Sequence, residues 1–410
     1  MKKALHIFKA AFYMLVLVSF LTGCGGGGDG THLKKWTIIM YWDGDDVNIQ
    51  SDLINAFKEM VNARVGSTEQ VNVVIQFDRY PGNPAYGGWP ITHRFFLTPG
   101  MEPTEANAIP DWGDGEGGGR EVDMSDPNTL RDFITWAVKN YPAERYALIV
   151  ADHGFGWQGL AIDNTNYQRT MSLKQLRQAI EESQVHFDLL GLDACTMQMI
   201  EVAHELRNSN VDILVGSEDD GTTWPFAEIL QAIMQNPGMS AEEIGRTIVD
   251  RYNSSHPQEK NITLSVLKLR NIEALTASVK ELSLAILTDA PLQMVQEKAK
   301  AVMERISNTV VYVKNCPDWE SARGVSMYFP MAGPMITIPP ELQYFYKSQT
   351  VSFAGEALWH DVLTTCYLMN PLSNIPMILH VRNDMKTFDD GKVDLYDFCN
   401  RIVNYSTLLP

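Results

Sequence analysis

The chain is poor in positive charge: 33 Lys and Arg face 50 Asp and Glu over 410 residues, a formal charge of −17. With no cluster of basic side chains it has no footprint for a phosphate backbone, and nucleic acid is excluded as a partner. Cysteine is scarce, five in all, which excludes a disulfide scaffold. No apolar run reaches the roughly 20 residues that a membrane-crossing helix needs. Neither a Gly-x-Ser-x-Gly elbow nor a Walker loop occurs, and His204-Glu205 has no second His to complete a zinc helix. Around Asp390-Gly391-Lys392-Val393-Asp394, positions one and three of a calcium loop would fall on Lys386 and Phe388, so that ligand set is incomplete. No internal repeat is present. What is there in quantity is apolar: 45% hydrophobic residues at this length suffice for two domains with a sizeable core.

The N-terminus carries a processing pattern. Lys2, Lys3 and Lys9 accompany a short apolar segment, Ala10 to Leu21, which covers only part of a bilayer and predicts a secretion signal rather than a membrane span. The segment ends in Leu21-Thr22-Gly23-Cys24, which resembles a bacterial lipobox, whose Cys is lipidated and becomes the new N-terminus. Cleavage there removes three lysines and no acid, leaving −20. Residues 1–23 are thus expected to be a lipoprotein signal peptide and 24–34 a flexible Gly-rich tether. The expected location is the bacterial cell envelope, lipid-anchored at a membrane. Of Cys195, Cys316, Cys366 and Cys399, at most one pair can join if Cys195 stays free.

From Trp36 onward, short apolar runs alternate with helical patterns, which predicts an α/β fold with a largely parallel sheet flanked by helices. Strands are expected at Trp36–Trp42, Val71–Phe77, Tyr146–Ala151, Phe187–Leu192 and Val211–Gly216, with a hairpin strand at Thr92–Leu97 inside a Gly- and Pro-rich insertion over 80–122. Ser125-Asp126-Pro127 starts a helix that runs to Asn140, and Ser172 starts another that ends at Ser183. Beyond residue 271 long helices over 271–287 and 291–308 predict a second, smaller and mainly helical domain, 271–410, after a first of 35–270. An isolated strand is expected at Gly324–Phe329 and one helix at Phe353–Leu368.

Two strand ends carry reactive residues. The run Tyr146–Ala151 ends in Asp152-His153-Gly154, and the next buried run ends in Asp193-Ala194-Cys195 at what reads as the start of a helix. Neighbouring parallel strands align their C-terminal ends along one edge, where α/β proteins build sites. A Cys that opens a helix would have its thiolate favoured by the helix dipole. Gly154 leaves its N–H open as an oxyanion donor. A buried Cys acting as a small hydrophobe, and a His satisfied at a strand end, are the bland alternatives; the pairing weighs against both.

A hydrophobic block ending in His-Gly, followed by one ending in Asp-Ala-Cys, resembles the caspase-like cysteine peptidases, and among them the clostripain family. The stretches Met40–Asp45, Tyr146–Trp157, Asp193–Ala203 and Gly324–Pro330 carry that resemblance, which extends from about Trp36 to Tyr367. Phe155 and Gln198 depart from it, standing where a small residue and Gly are usual; Phe155 is expected to narrow the cleft. The resemblance implies an endopeptidase with Cys195 as nucleophile, His153 moving the proton, and the amides of Gly154 and Cys195 holding the oxyanion. It also implies polypeptide substrates cut after Arg or Lys, with Asp193 at the base of the pocket and Asp219 or Asp220 as a second carboxylate. Self-processing is a further implication. Arg169, the only basic residue between Ile162 and Leu173, in a segment with neither helical nor strand periodicity, is the expected cleavage site. No cofactor or metal is required by the sequence. Asp43, Asp45 and Asp46 offer oxygens to a cation, and some relatives use calcium, but a capping turn is the better reading. A catalytically silent surface binding protein of the same fold is the competing reading from another class; the joint presence of His153 and Cys195 argues against it.

Overall fold

Along β1 (Lys34–Gly44), Trp36, Ile38, Met40 and Trp42 alternate with Ile39 and Tyr41, and both sets are buried. A strand apolar on both faces belongs at the centre of a covered parallel sheet, and β1 lies there. The computed structural model describes residues 33–110, 112, 119–166, 168–330, 339–368, 374–388 and 391–405. The signal segment, Cys24 and most of the tether lie outside these residues.

After β1, Asp46 accepts from the Asn48 and Ile49 N–H groups and caps α1 (Val47–Ala63), which Arg64 ends in the left-handed conformation. β2 (Val71–Arg79) returns parallel to β1, and β3 (His93–Phe96) in the insertion pairs antiparallel with β2. Asp126 caps α2 (Pro127–Asn140), with Pro127 at its first position. β4 (Ala143–Ala151) pairs with β1. The connection after it is not the irregular loop expected: β5 (Leu160–Asp163) and β6 (Arg169–Met171) form an antiparallel hairpin too short for its alternation to stand out. A capping box of Ser172 and Gln175 then opens α3 (Leu173–Ser183). β7 (Phe187–Asp193), α4 (Ile200–Leu206), β8 (Val211–Gly216), α5 (Phe226–Gln235), α6 (Ala241–Ser255) and β9 (Thr263–Lys268) follow. Then come α7 (Ile272–Leu287), α8 (Leu292–Thr309) and β10 (Val310–Asn315).

The eight-stranded sheet runs β10-β9-β8-β7-β4-β1-β2-β3, parallel through its five central strands and antiparallel at both margins. One face packs on Leu53 and Phe57 of α1 and on α5 and α6; the other packs on α2, α3, α4, α7 and α8. This is the expected α/β architecture, but the division at 271 cuts across it. β10 lies beyond that point and pairs with β9 before it, and Lys34–Pro410 forms one compact unit.

The C-terminal segment is also less isolated than expected. β11 (Ser326–Tyr328) is joined antiparallel by a strand near the chain's end, and the single helix expected at 353–368 is broken into α9 (Ser352–Glu356) and α10 (Trp359–Tyr367) by Leu358 in the left-handed conformation. α11 (Asn374–Asn383), β12 (Lys392–Asp394), which is that partner strand, and α12 (Leu395–Val403) complete the fold. The four cysteines after residue 33 are all free thiols, and Cys316, Cys366 and Cys399 are buried as small hydrophobes. No helix among the described residues is long and apolar enough to cross a membrane.

Candidate active site

β4 and β7 are adjacent and parallel, with Ala151 opposite Asp193 and the Asp152 N–H donating to the Asp193 carbonyl at 3.3 Å. Two residues beyond that register on each chain stand His153 and Cys195, and both line one cavity of about 940 Å³. Gly154 makes the approach of the two chains feasible. A Cβ there would sit 2.2 Å from the Cys195 carbonyl oxygen and 2.9 Å from its nitrogen, so any side chain would force the strand ends apart.

Cys195 does not open a helix. The chain turns through residues 194–199 with Thr196 at φ 57°, and α4 begins only at Ile200. The expected dipole assistance is therefore absent, and the thiol is pushed up to about 11. Burial is the main cause, and the charges of Asp220 and Asp193 add to it against a hydrogen bond from the Gly221 N–H. At this value the Cys195 side chain is a neutral thiol at neutral pH. His153 Nε2 lies 3.5 Å from Asp46 Oδ1, a carboxylate expected from the sequence only as a cap. Asp46 does both. Partial burial pushes its carboxyl up, but bonds from the Asn48 and Ile49 N–H groups and from His153 outweigh this and hold it below the usual range.

The loop after Cys195 is held from beneath. The Thr196 N–H donates to the Asp219 carbonyl at 3.0 Å and the Gln198 N–H to Ser217 at 2.8 Å. The Gln198 amide reaches across to Ser265, whose hydroxyl donates to the Gly324 carbonyl. The Ser326 N–H donates back to Gln198, and the Tyr328 N–H to the buried Glu201 of α4. The Gly324–Pro330 stretch is therefore a brace under the nucleophile loop. Phe155 does not line the cavity.

At the cavity floor Asp193 is buried and accepts from the Trp224 N–H at 3.1 Å. Burial pushes its carboxyl up to about 8, and the nearby Asp52 charge adds to the rise. Neither Asp219 nor Asp220 lines the cavity: Asp219 is buried in its loop, while Asp220 sits against the Cys195 thiol. The cavity takes its other acids from Asp52 and Glu59 of α1, from Glu228 of α5 and from Asp152 beside His153. Asp52 and Glu59 are seven residues apart, on one helix face with Ile49 and Ala56, so a helical-period scan for acidic residues would have found them.

Arg169 is exposed at the start of β6, opposite Asp163 in the hairpin. On the sheet face away from the cleft, Asp43 and Asp78 are buried together with Asp45 and Asp163, and the buried Asp152 borders the cavity.

A thiol and an imidazole thus stand at neighbouring strand ends over a carboxylate-floored cavity. The Clostripain family model matches residues 40–364, and the chain belongs to that family. Clostripain of Hathewaya histolytica is 27% identical over 242 residues, which span 51% of this chain and 44% of that protein. Among solved structures, a secreted C11 cysteine protease from Bacteroides thetaiotaomicron, in complex with an irreversible peptide inhibitor, is similar with a TM-score of 0.61. The two share 18% identity, over 80% of this chain and 99% of that one. An inactive zymogen C11 protease from Parabacteroides distasonis has a TM-score of 0.58 and 20% identity, over 79% and 98% of the two chains. These likenesses show the fold.

Proposed function

We propose that the chain is a cysteine endopeptidase that cuts polypeptides after Arg or Lys. The carrying observation is the single cavity that holds His153, Cys195 and the buried Asp193. In this reading Cys195 Sγ attacks the scissile carbonyl carbon while its proton passes to His153. The imidazolium, facing Asp46, gives that proton to the departing amine, and water hydrolyses the thioester. The Gly154 and Cys195 N–H groups serve the oxyanion. A guanidinium or ammonium against Asp193 and Asp52 supplies the counter-charge that no Lys or Arg of the cavity lining provides. It also relieves the negative field that raises the Cys195 thiol, so a basic substrate favours its own attack.

The same reading places the protein in the envelope, lipidated at Cys24, and makes the Arg169–Thr170 bond its processing site. Because Arg169 begins β6, its end of the hairpin must unpair before the bond can enter a cleft. The decisive measurement is hydrolysis of arginyl and lysyl amides, with and without a thiol alkylator, against a Cys195→Ala control. Turnover that survives both alkylation and Cys195→Ala would overturn the assignment. Labelled palmitate should mark the wild-type chain and not Cys24→Ser. N-terminal sequencing should find a fragment starting at Thr170 in the wild type alone.

A further inference from the structure

The loop that follows β8 reaches both working parts of the cleft. The Gly221 N–H donates to the Cys195 thiol, and the Trp224 N–H donates to the Asp193 carboxylate at 3.1 Å. Buried groups anchor the loop at both ends. At its start Ser217 and Asp219 accept from the Gln198 and Thr196 N–H groups, and the buried Glu218 accepts from the Thr263 hydroxyl and the Gly324 N–H. At its end the Trp224 ring lies flush on Gly191 of β7, where a Cβ would meet it at 2.9 Å, and beside Phe226. Between the anchors Asp220, Gly221 and Thr222 are exposed, so burial does not place the amide that serves the thiol. The end of α6 meets the loop there. Tyr252 is 1% exposed, and its hydroxyl accepts from the Thr222 N–H at 3.1 Å. A Cβ on Gly221 would sit 2.9 Å from the same oxygen, so the loop is packed against it at both residues. His256, just past the helix, lies 2.9 Å through Nε2 from the Thr222 hydroxyl and 2.9 Å through Nδ1 from the Tyr252 carbonyl. A carbonyl only accepts, so Nδ1 carries the hydrogen and Nε2 of the neutral ring accepts from Thr222.

We propose that Tyr252 and His256 are positioning residues that clamp Thr222 and so hold the Gly221 N–H on the Cys195 sulfur. As the thiol loses its proton, charge develops on sulfur, and an N–H that meets a charged acceptor stabilises it more than a neutral one. The clamp therefore favours the reactive thiolate without touching it. Its reach ends within the loop. Trp224 has its own seat on β7, so its contact with Asp193, and with it the preference for a basic side chain, is insulated from the clamp. Losing the clamp should lower kcat and leave KM and the ratio of basic to neutral turnover in place. The inference rests on the proposed role of Cys195 as nucleophile for its effect on turnover, whereas its effect on the thiol can be read without turnover.

The test measures alkylation of Cys195 by iodoacetamide in the full chain, followed by the mass of its peptide, beside kcat and KM on an arginyl amide. Tyr252→Phe removes one oxygen from a buried ring and should slow alkylation and kcat each about tenfold, with KM within about twofold of the wild type. Thr222→Val, at an exposed position that folding does not depend on, removes the hydroxyl that meets His256 and should slow both about fivefold. Thr222→Ser restores that hydroxyl and should return both rates to the wild-type level. Wild-type alkylation and kcat in Tyr252→Phe would overturn the clamp and leave the peptidase reading standing. A raised KM with kcat and alkylation unchanged would overturn it equally, because Tyr252 would then be a substrate contact. Slowed alkylation in Tyr252→Phe, in a protein whose wild type cleaves no amide, would support the clamp and sink the peptidase reading instead.

Discussion

The C-terminal edge of the sheet has two acidic faces, and they differ in what they leave open. The cleft face presents Asp193, Asp52, Glu59 and Glu228 to a cavity that opens to solvent, while the other face closes Asp43, Asp45, Asp78 and Asp163 beneath the hairpin and the incoming chain, and the buried Asp152 borders the cavity from between them. Asp43, Asp78 and Asp193 come from strand ends, where the period of two sends Asp43 and Asp78 to one side and Asp193 to the other, and the remaining acids come from helices, a turn and the hairpin. An open carboxylate can wait for a substrate's charge, whereas a closed one must be satisfied within the fold. Substitutions on the cleft face should therefore change rate and selectivity, and those on the closed face should change stability.

The largest expected effect is at the proposed nucleophile. Cys195→Ala should lower kcat/KM on arginyl amides on the order of 10⁴-fold or more, with an unchanged Tm, measured by progress curves and calorimetry. Next is Asp193→Asn, about 100-fold on arginyl and lysyl amides and much less on a matched neutral substrate. With Asp193 at about 8 in the free protein, kcat/KM on basic substrates should climb as pH rises through that value, and the climb should vanish in Asp193→Asn. Stability should move oppositely. A carboxyl whose folded pKa is raised contributes fully below its unfolded value, near 4, and the contribution is lost as pH rises through about 8. Asp193→Asn should thus melt higher than the wild type at pH 8. Equal losses of activity on basic and neutral substrates would place the specificity elsewhere and erase the contrast between the faces.

Smaller effects sharpen the comparison. Asp46→Asn removes the charge that faces the His153 imidazole and should lower kcat about tenfold, read from progress curves at saturating substrate. Asp52→Asn, on a partly exposed side chain, should cost only a few-fold on basic substrates and shift the Asp193 limb to lower pH. On the closed face, Asp163→Asn weakens the acceptor for the Met124 and Asn166 N–H groups and should lower stability by about 1–2 kcal/mol. Its ratio of basic to neutral turnover should stay at the wild-type value; a changed ratio would mean that the two faces are coupled.

Much of this was legible in local chemistry. The caps at Asp126 and Ser172 place their helices because short polar side chains satisfy free N–H groups there, and the apolar runs at 146–151 and 187–192 are too hydrophobic to lie anywhere but a sheet interior. Period and capping failed where an element was too short or was bent by its surroundings. The three- and four-residue strands of the β5–β6 hairpin are examples, as are the turn between Cys195 and Ile200 and the break at Leu358. The boundary at 271 misled for another reason. A run of helices is ambiguous until its following strand finds a partner, and β10 finds β9.

By itself the sequence determined the central strands β1, β2, β4, β7 and β8 and the placement of His153 and Cys195 just past the ends of two of them, because these follow from residues close together in the chain. Only the tertiary structure decided which carboxylate shares a space with which. Asp52 comes to Asp193 from a helix near the start of the fold, Asp46 comes to His153 from a helix cap, and Asp163 comes to Asp45 and Asp78 from a hairpin. Charge acts through distance in space, and a chain that crosses its sheet in the order β1, β2, β4, β7 makes that distance unreadable along the sequence.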